Sequence, residues 1–121
     1  MIFGSLENKV SLMNIAEQIV ENQNNATAQN NLGIIYYEGE YIERDINKSI
    51  HYFSLAADQN YATAQKNLGI IYSNGEYIER DINKAIHYFS LAADQNDANA
   101  QNNLGIIYSN GKYIKRDINK A

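Results

Sequence analysis

The sequence predicts an all-α fold, an α-solenoid of antiparallel helix pairs, and three observations carry that prediction. The first is repetition: Leu32-Gly33, Leu68-Gly69 and Leu104-Gly105 recur at a spacing of 36 residues, in the range that marks solenoids and arrays. The second is a pair of apolar stripes with helical period in each full copy. The third is punctuation: the chain contains no proline, so Gly and Asn, which tolerate left-handed backbone, are left to end the helices.

Residues 1–25 read as an N-terminal capping helix. A shift of 36 residues places Ala16, Ile19 and Val20 under Tyr52, Leu55 and Ala56, and Gln23-Asn24 under Gln59-Asn60. Leu6 to Gln23 is therefore expected to be a divergent copy of the repeat's second helix. An outer face carrying Glu7, Lys9, Glu17 and Glu21 would suit a cap. Repeat 1 spans 26–61, repeat 2 spans 62–97, and an incomplete repeat 3 spans 98–121, all within one array that forms a single domain. The two full copies differ only at positions 30/66, 37/73, 38/74, 49/85 and 61/97.

Within repeat 2, Ala64, Leu68, Ile71 and Tyr72 form the stripe of a first helix that Gly75 ends. Asp81 is a good N-cap for a second helix, whose stripe runs Ile82, Ala85, Ile86, Phe89, Ala92 and Ala93. Gly69 in mid-helix costs about 1 kcal/mol against Ala, a cost that makes sense where a neighbouring helix needs the room.

Composition narrows the function. The 121 residues suffice for one real core. A net charge of −4 leaves no strongly basic field to hold a nucleic-acid backbone. With no cysteine, disulfides and thiolate metal sites are excluded. The opening "MIFGSLENKV" is too short in apolar residues for a secretory signal, and nothing approaches a membrane span. The default expectation is a soluble cytoplasmic protein with neither nucleic-acid nor membrane partners. Two glycosylation-type triplets, at Asn25–Thr27 and Asn47–Ser49, are expected by chance in so Asn-rich a chain.

The pattern "AxAQxNLGxxYxxGxYIxRDxxKAxxYFxxAADQN" from Ala26 to Ala121 resembles the Sel-one-like repeat, a relative of the tetratricopeptide repeat. The resemblance implies a right-handed superhelical α-solenoid and adaptor work in multiprotein complexes. Two departures stand out. Tyr41, Tyr77 and Tyr113 replace a second loop Gly, and Asn60 and Asn96 replace a Gly that closes the second helix. Asn is the best non-Gly residue for a left-handed cap. The tyrosines are expected to fold over the helix ends and seal the core, in preference to the alternative of a ladder of aromatic contact points along the loop edge.

By analogy with tetratricopeptide geometry, five offsets in each first helix would line a concave, partner-binding groove. They are Thr27, Asn30, Ile34, Tyr37 and Glu38; Thr63, Lys66, Ile70, Ser73 and Asn74; and Asn99, Asn102, Ile106, Ser109 and Asn110. Four of the five offsets vary among otherwise copied units. Amides around an isoleucine strip suit an extended peptide or a partner helix. The loop edge also changes sign. Glu38–Asp45 carries four carboxylates against one Arg, and 74–81 three against one. The stretch 110–117 has three cations against one Asp.

No catalytic, cofactor-binding or metal-binding residue is expected. His51 and His87 are the only histidines, they occupy one offset in separate repeats, and neither has a second ligand at i+4. No Ser/His/Asp set, phosphate-cradling loop or Walker lysine is present. One bacterial branch of the resembled family is linked to β-lactam binding and hydrolysis, but it is built around a cysteine pair in each repeat. The expected function is a non-catalytic scaffold binding a protein or peptide. The alternative is a self-associating repeat module, or a fragment of a longer array, that pairs head to tail through an uncapped C-terminal end.

Overall fold

A computed structural model of the protein describes residues 6–110. These form six helices and no strand: α1 Leu6–Gln23, α2 Ala26–Glu38, α3 Ile46–Asp58, α4 Ala62–Asn74, α5 Ile82–Ala93 and α6 Ala98–Asn110. Tyr113 and the start of the third repeat's second helix lie outside the described residues.

Local chemistry sets the helix ends. Asn25 Oδ1 accepts from Ala28 N at 2.9 Å, Asp45 Oδ1 from Lys48 N at 3.0 Å, and Asp81 Oδ1 from Lys84 N at 3.1 Å. Each satisfies a backbone donor that the first helical turn leaves open. Gly39 and Gly75 close α2 and α4 with φ of 70° and 65°, the left-handed conformation expected of Gly75. Arg44 Nε donates to Tyr37 O at 2.8 Å and Arg80 Nε to Ser73 O at 3.0 Å. The arginines thus cover carbonyls that the α2 and α4 C-termini cannot use internally.

The chain divides into two compact units, one up to Gln59 and one from Asn60 onward. In the first, α2 and α3 form a hairpin with α1 against it, and the core gathers Met13, Val20, Leu32, Tyr36, Ile42 and Tyr52. In the second, α4 pairs with α5 and α6 packs on α5, around Ile82, Ala85, Phe89, Ala92, Ala100 and Ile107.

The mid-helix glycines are where the helices of a pair approach. A Cβ added at Gly33 would sit 2.6 Å from the Phe53 ring, and one at Gly69 would sit 2.6 Å from the Phe89 ring. Phe89 is only 1% exposed, so the ring cannot retreat. In the first unit Ser49, fully buried beside this contact, donates its hydroxyl to Gly33 O at 2.7 Å. Ala85 takes the corresponding place in the second unit.

Two expectations are corrected here. The outer face of α1 is only in part the glutamate face expected: Glu7 and Glu21 are exposed, but Glu17 is half-buried. Glu17 and Glu21 point at hydrogen-bond donors on α2 and α3, while Leu12, Ile15 and Ile19 are exposed. Two tyrosine hydroxyls and a lysine offer the carboxylates more than solvent does, and this orients the helix. Tyr41 and Tyr77 do not seal the core either: both are exposed, and buried Ile42 fills that role in the first unit.

Candidate functional site

Two polar constructions and one cleft stand out among the described residues. The first construction is a cluster of three amides, repeated. Gln29 Oε1 accepts from Gln59 Nε2 at 2.8 Å, and Gln29 Nε2 donates to Asn24 Oδ1 at 3.1 Å. One repeat later Gln65 Oε1 accepts from Gln95 Nε2 at 2.8 Å and Gln65 Nε2 donates to Asn60 Oδ1 at 3.2 Å. Gln29 and Gln65 are each 1% exposed, and a buried amide is tolerated only when so paired. Asn24, Asn60 and Asn96 all adopt left-handed backbone, with φ of 49°, 62° and 68°. The expected caps at Asn60 and Asn96 are therefore present, and Asn24, 36 residues before Asn60, shares their left-handed backbone. The amide cluster itself was missed at the sequence level. Its signal was there: these glutamines are unchanged between copies.

The second construction joins α1 to the first hairpin. Tyr36 and Tyr52 stack with ring centroids 6.3 Å apart, and Lys48 Nζ lies 5.2 Å from the Tyr36 centroid. The Tyr36 hydroxyl donates to Glu17, Lys48 Nζ pairs with Glu17 at 3.0 Å, and the Tyr52 hydroxyl donates to Glu21 at 3.2 Å. Burial first, and then the facing glutamates, push both tyrosine hydroxyls well above their usual pKa. The second unit repeats the platform, with Tyr72 and Tyr88 stacked at 6.2 Å and Lys84 Nζ 5.0 Å from the Tyr72 centroid.

Beside the first platform lies an open cleft of about 430 Å³, lined on one side by Leu6, Val10 and Met13 and on the other by Tyr36, Arg44 and Lys48. Its α1 wall is mostly apolar, with Asn14 beside Leu6, Val10 and Met13, and its hairpin wall carries Glu43 and Asp45 as well as Arg44 and Lys48, so the charges there balance.

The positions expected to line a groove differ in accessibility. On α2, Thr27 and Glu38 are exposed, Ile34 and Tyr37 half-buried, and Asn30 buried. On α4, Asn74 is exposed and Thr63, Lys66, Ile70 and Ser73 are half-buried, with Ile70 packed against the second core. On α6, Asn99, Asn102, Ile106, Ser109 and Asn110 are all exposed. Ser73 and Ser109 turn their hydroxyls onto the carbonyls of Ile70 and Ile106, at 3.2 and 3.3 Å.

His51 and His87 are exposed and meet the adjacent tyrosine rings edge-on, at 4.8 and 5.0 Å. Among the described residues no group of His, Cys, Asp or Glu is arranged to hold a metal ion. No helix among them is long and apolar enough to cross a membrane.

A family profile of the Sel1 repeat matches residues 26–61, 62–97 and 98–121, the same three segments that the 36-residue spacing defines. The chain belongs to the Sel1 repeat family. Sel1 repeats are generally protein–protein interaction modules, and the fold is typically a non-catalytic scaffold. Among solved structures, the chain is similar to c5321, a protective antigen present in uropathogenic Escherichia coli strains and displaying the SLR fold. That similarity has 33% identity and a TM-score of 0.75, and it covers 82% of this chain and 21% of that one. A Sel1 repeat protein from Oxalobacter formigenes is similar at 28% identity and a TM-score of 0.69, covering 91% of this chain and 47% of that one. The present Sel1 repeats thus span about a fifth and just under half of those two chains. Among curated proteins none matches.

Proposed function

We propose that this Sel1 repeat chain is a non-catalytic scaffold that binds a protein or peptide segment along the first helices of its repeats. The observation that carries the reading is where the copies differ. Positions 30/66, 37/73 and 38/74 account for three of the five differences between the full repeats, and all three fall on first helices. The Gly–Phe and amide contacts that build each pair are kept. Exposed Asn99, Asn102 and Ile106 extend the set onto α6. Amides of this kind pair with a backbone while an apolar side chain excludes water.

The test is affinity capture from a lysate of the protein's own source, compared with an Ile34→Ser, Lys66→Glu, Ile106→Ser variant. Ile70 is left alone because it packs on the core. A partner held by the original and lost by the folded variant supports the reading. Equal capture by both moves the interaction to another surface.

A second reading, self-association, is favoured by the exposed Leu12, Ile15 and Ile19 on α1 and by Ile106 and Tyr108 on α6. It includes head-to-tail pairing through the C-terminal end. Light scattering across a concentration series separates it from a monomeric scaffold.

A further inference from the structure

We propose that Tyr72 and Lys84 form a receptor for one carboxylate, supplied by a glutamate of a partner protein. The first unit shows the receptor filled. There Glu17 Oε2 accepts from both the Tyr36 hydroxyl and Lys48 Nζ, the latter at 3.0 Å, with the ammonium 5.2 Å from the Tyr36 ring centroid. A phenol and an ammonium that converge on one carboxylate oxygen make charge-assisted bonds, the strong kind. Tyr72 and Lys84 are the same two residues 36 positions further on. Neither belongs to the first-helix set proposed above, so either reading can fail without the other.

The second copy has the same geometry. Tyr72 stacks on Tyr88 at 6.2 Å and 9°, against 6.3 Å and 11° for Tyr36 on Tyr52, and Lys84 Nζ lies 5.0 Å from the Tyr72 centroid. The backbone under the lysine is also held alike, since Asp81 Oδ1 accepts from Lys84 N at 3.1 Å as Asp45 Oδ1 does from Lys48 N at 3.0 Å. What differs is the acceptor. Among the described residues the Tyr72 hydroxyl donates to nothing and Lys84 Nζ pairs with no carboxylate, that of Asp81 included. The repeat itself does not supply one, because the positions 36 after Glu17 and Glu21 are Phe53 and Ala57. Tyr72 packs against the second core, which fixes its ring, and Lys84 is exposed, so its charge can be met from outside. A lysine already held over a fixed ring binds an anion with less ordering still to be done. Two donors and no acceptor select a carboxylate over an amide, and a glutamate is what the filled copy holds.

The probe is the peptide acetyl-Gly-Gly-Glu-Gly-Gly-amide, titrated into the intact chain with ring-labelled tyrosine and read by NMR. Its Gln counterpart at matched ionic strength is the control. The Tyr72 resonance, identified by its loss in Tyr72→Phe, is expected to shift saturably with the Glu peptide and to stay in place with the Gln peptide. The affinity should be millimolar, as befits a single exposed charge pair. Lys84→Gln weakens the binding about fivefold or more, since it removes the charged donor. The filled copy supplies a second measurement: in Glu17→Ala the Tyr36 resonance should begin to respond to the Glu peptide, with an affinity similar to that at Tyr72. Three results overturn the proposal. One is an equal Tyr72 shift with both peptides. Another is Glu-peptide binding indifferent to Lys84→Gln. The third is a Tyr72 that stays silent, and most plainly so if Tyr36 responds in Glu17→Ala, because the chemistry then works and the second copy does not use it.

Discussion

Gly69 shows how one atom decides an interface. In an open helix, replacing Gly by Ala gains about 1 kcal/mol of helix propensity. At Gly69 the new methyl would meet the Phe89 ring at 2.6 Å, and overpacking a rigid core costs about 1–3 kcal/mol. The clash wins, because Phe89 is buried and its ring is held between helices. Gly69→Ala is therefore expected to lower stability by about 1–2 kcal/mol in urea unfolding. If the substitution stabilises instead, the close approach of α4 and α5 is looser than described.

At the scale of elements, the helix pairs were legible and the seating of α1 was not. The bounds of α2 and α4, the Asp45 and Asp81 caps and the left-handed Asn60 and Asn96 all depend on residues a few positions apart, which a linear reading captures. The orientation of α1 depends on Tyr36, Lys48 and Tyr52, far along the chain, and charge alone placed its glutamates outward. The buried glutamines escaped for a similar reason, since a polar residue on a helix reads as surface until its partners are known. Of the fifteen groove positions, the sequence marked which offsets vary, but it gave no sign that Asn30 is buried or that Ile70 packs on the core.

The seating of α1 carries a pH prediction. Tyr36 and Tyr52 have folded pKa values raised above the ordinary 10.0. In the unfolded chain they release protons first as the solution becomes alkaline. Their contribution is thus whole below pH of about 10 and is lost as pH climbs toward the folded values. Urea midpoints should fall above about pH 10, and the Tyr36→Phe, Tyr52→Phe pair should flatten that fall. Equal slopes for both proteins would mean that these hydroxyls do not govern alkaline stability.

At the scale of the whole molecule, stability comes from short-range pairings, as in repeat proteins generally. Each unit has its own core, its own Gly–Phe contact and its own amide cluster. The near-identity of the two Gly–Phe contacts also bears on how the chain finds its fold. Gly33 accepts a phenylalanine ring on the same terms as Gly69, so α2 gains almost as much from another molecule's α5 as from its own α3. Only Ser49 against Ala85 distinguishes the two choices at the contact. Chains refolding in a crowd should therefore trade hairpin arms and become trapped as intertwined dimers, a characteristic misassembly of repeated sequences. Size exclusion after refolding at high and low concentration would reveal them as dimers that dilution does not dissolve. Ser49→Ala, which erases the last local mark of correct pairing, should increase their share.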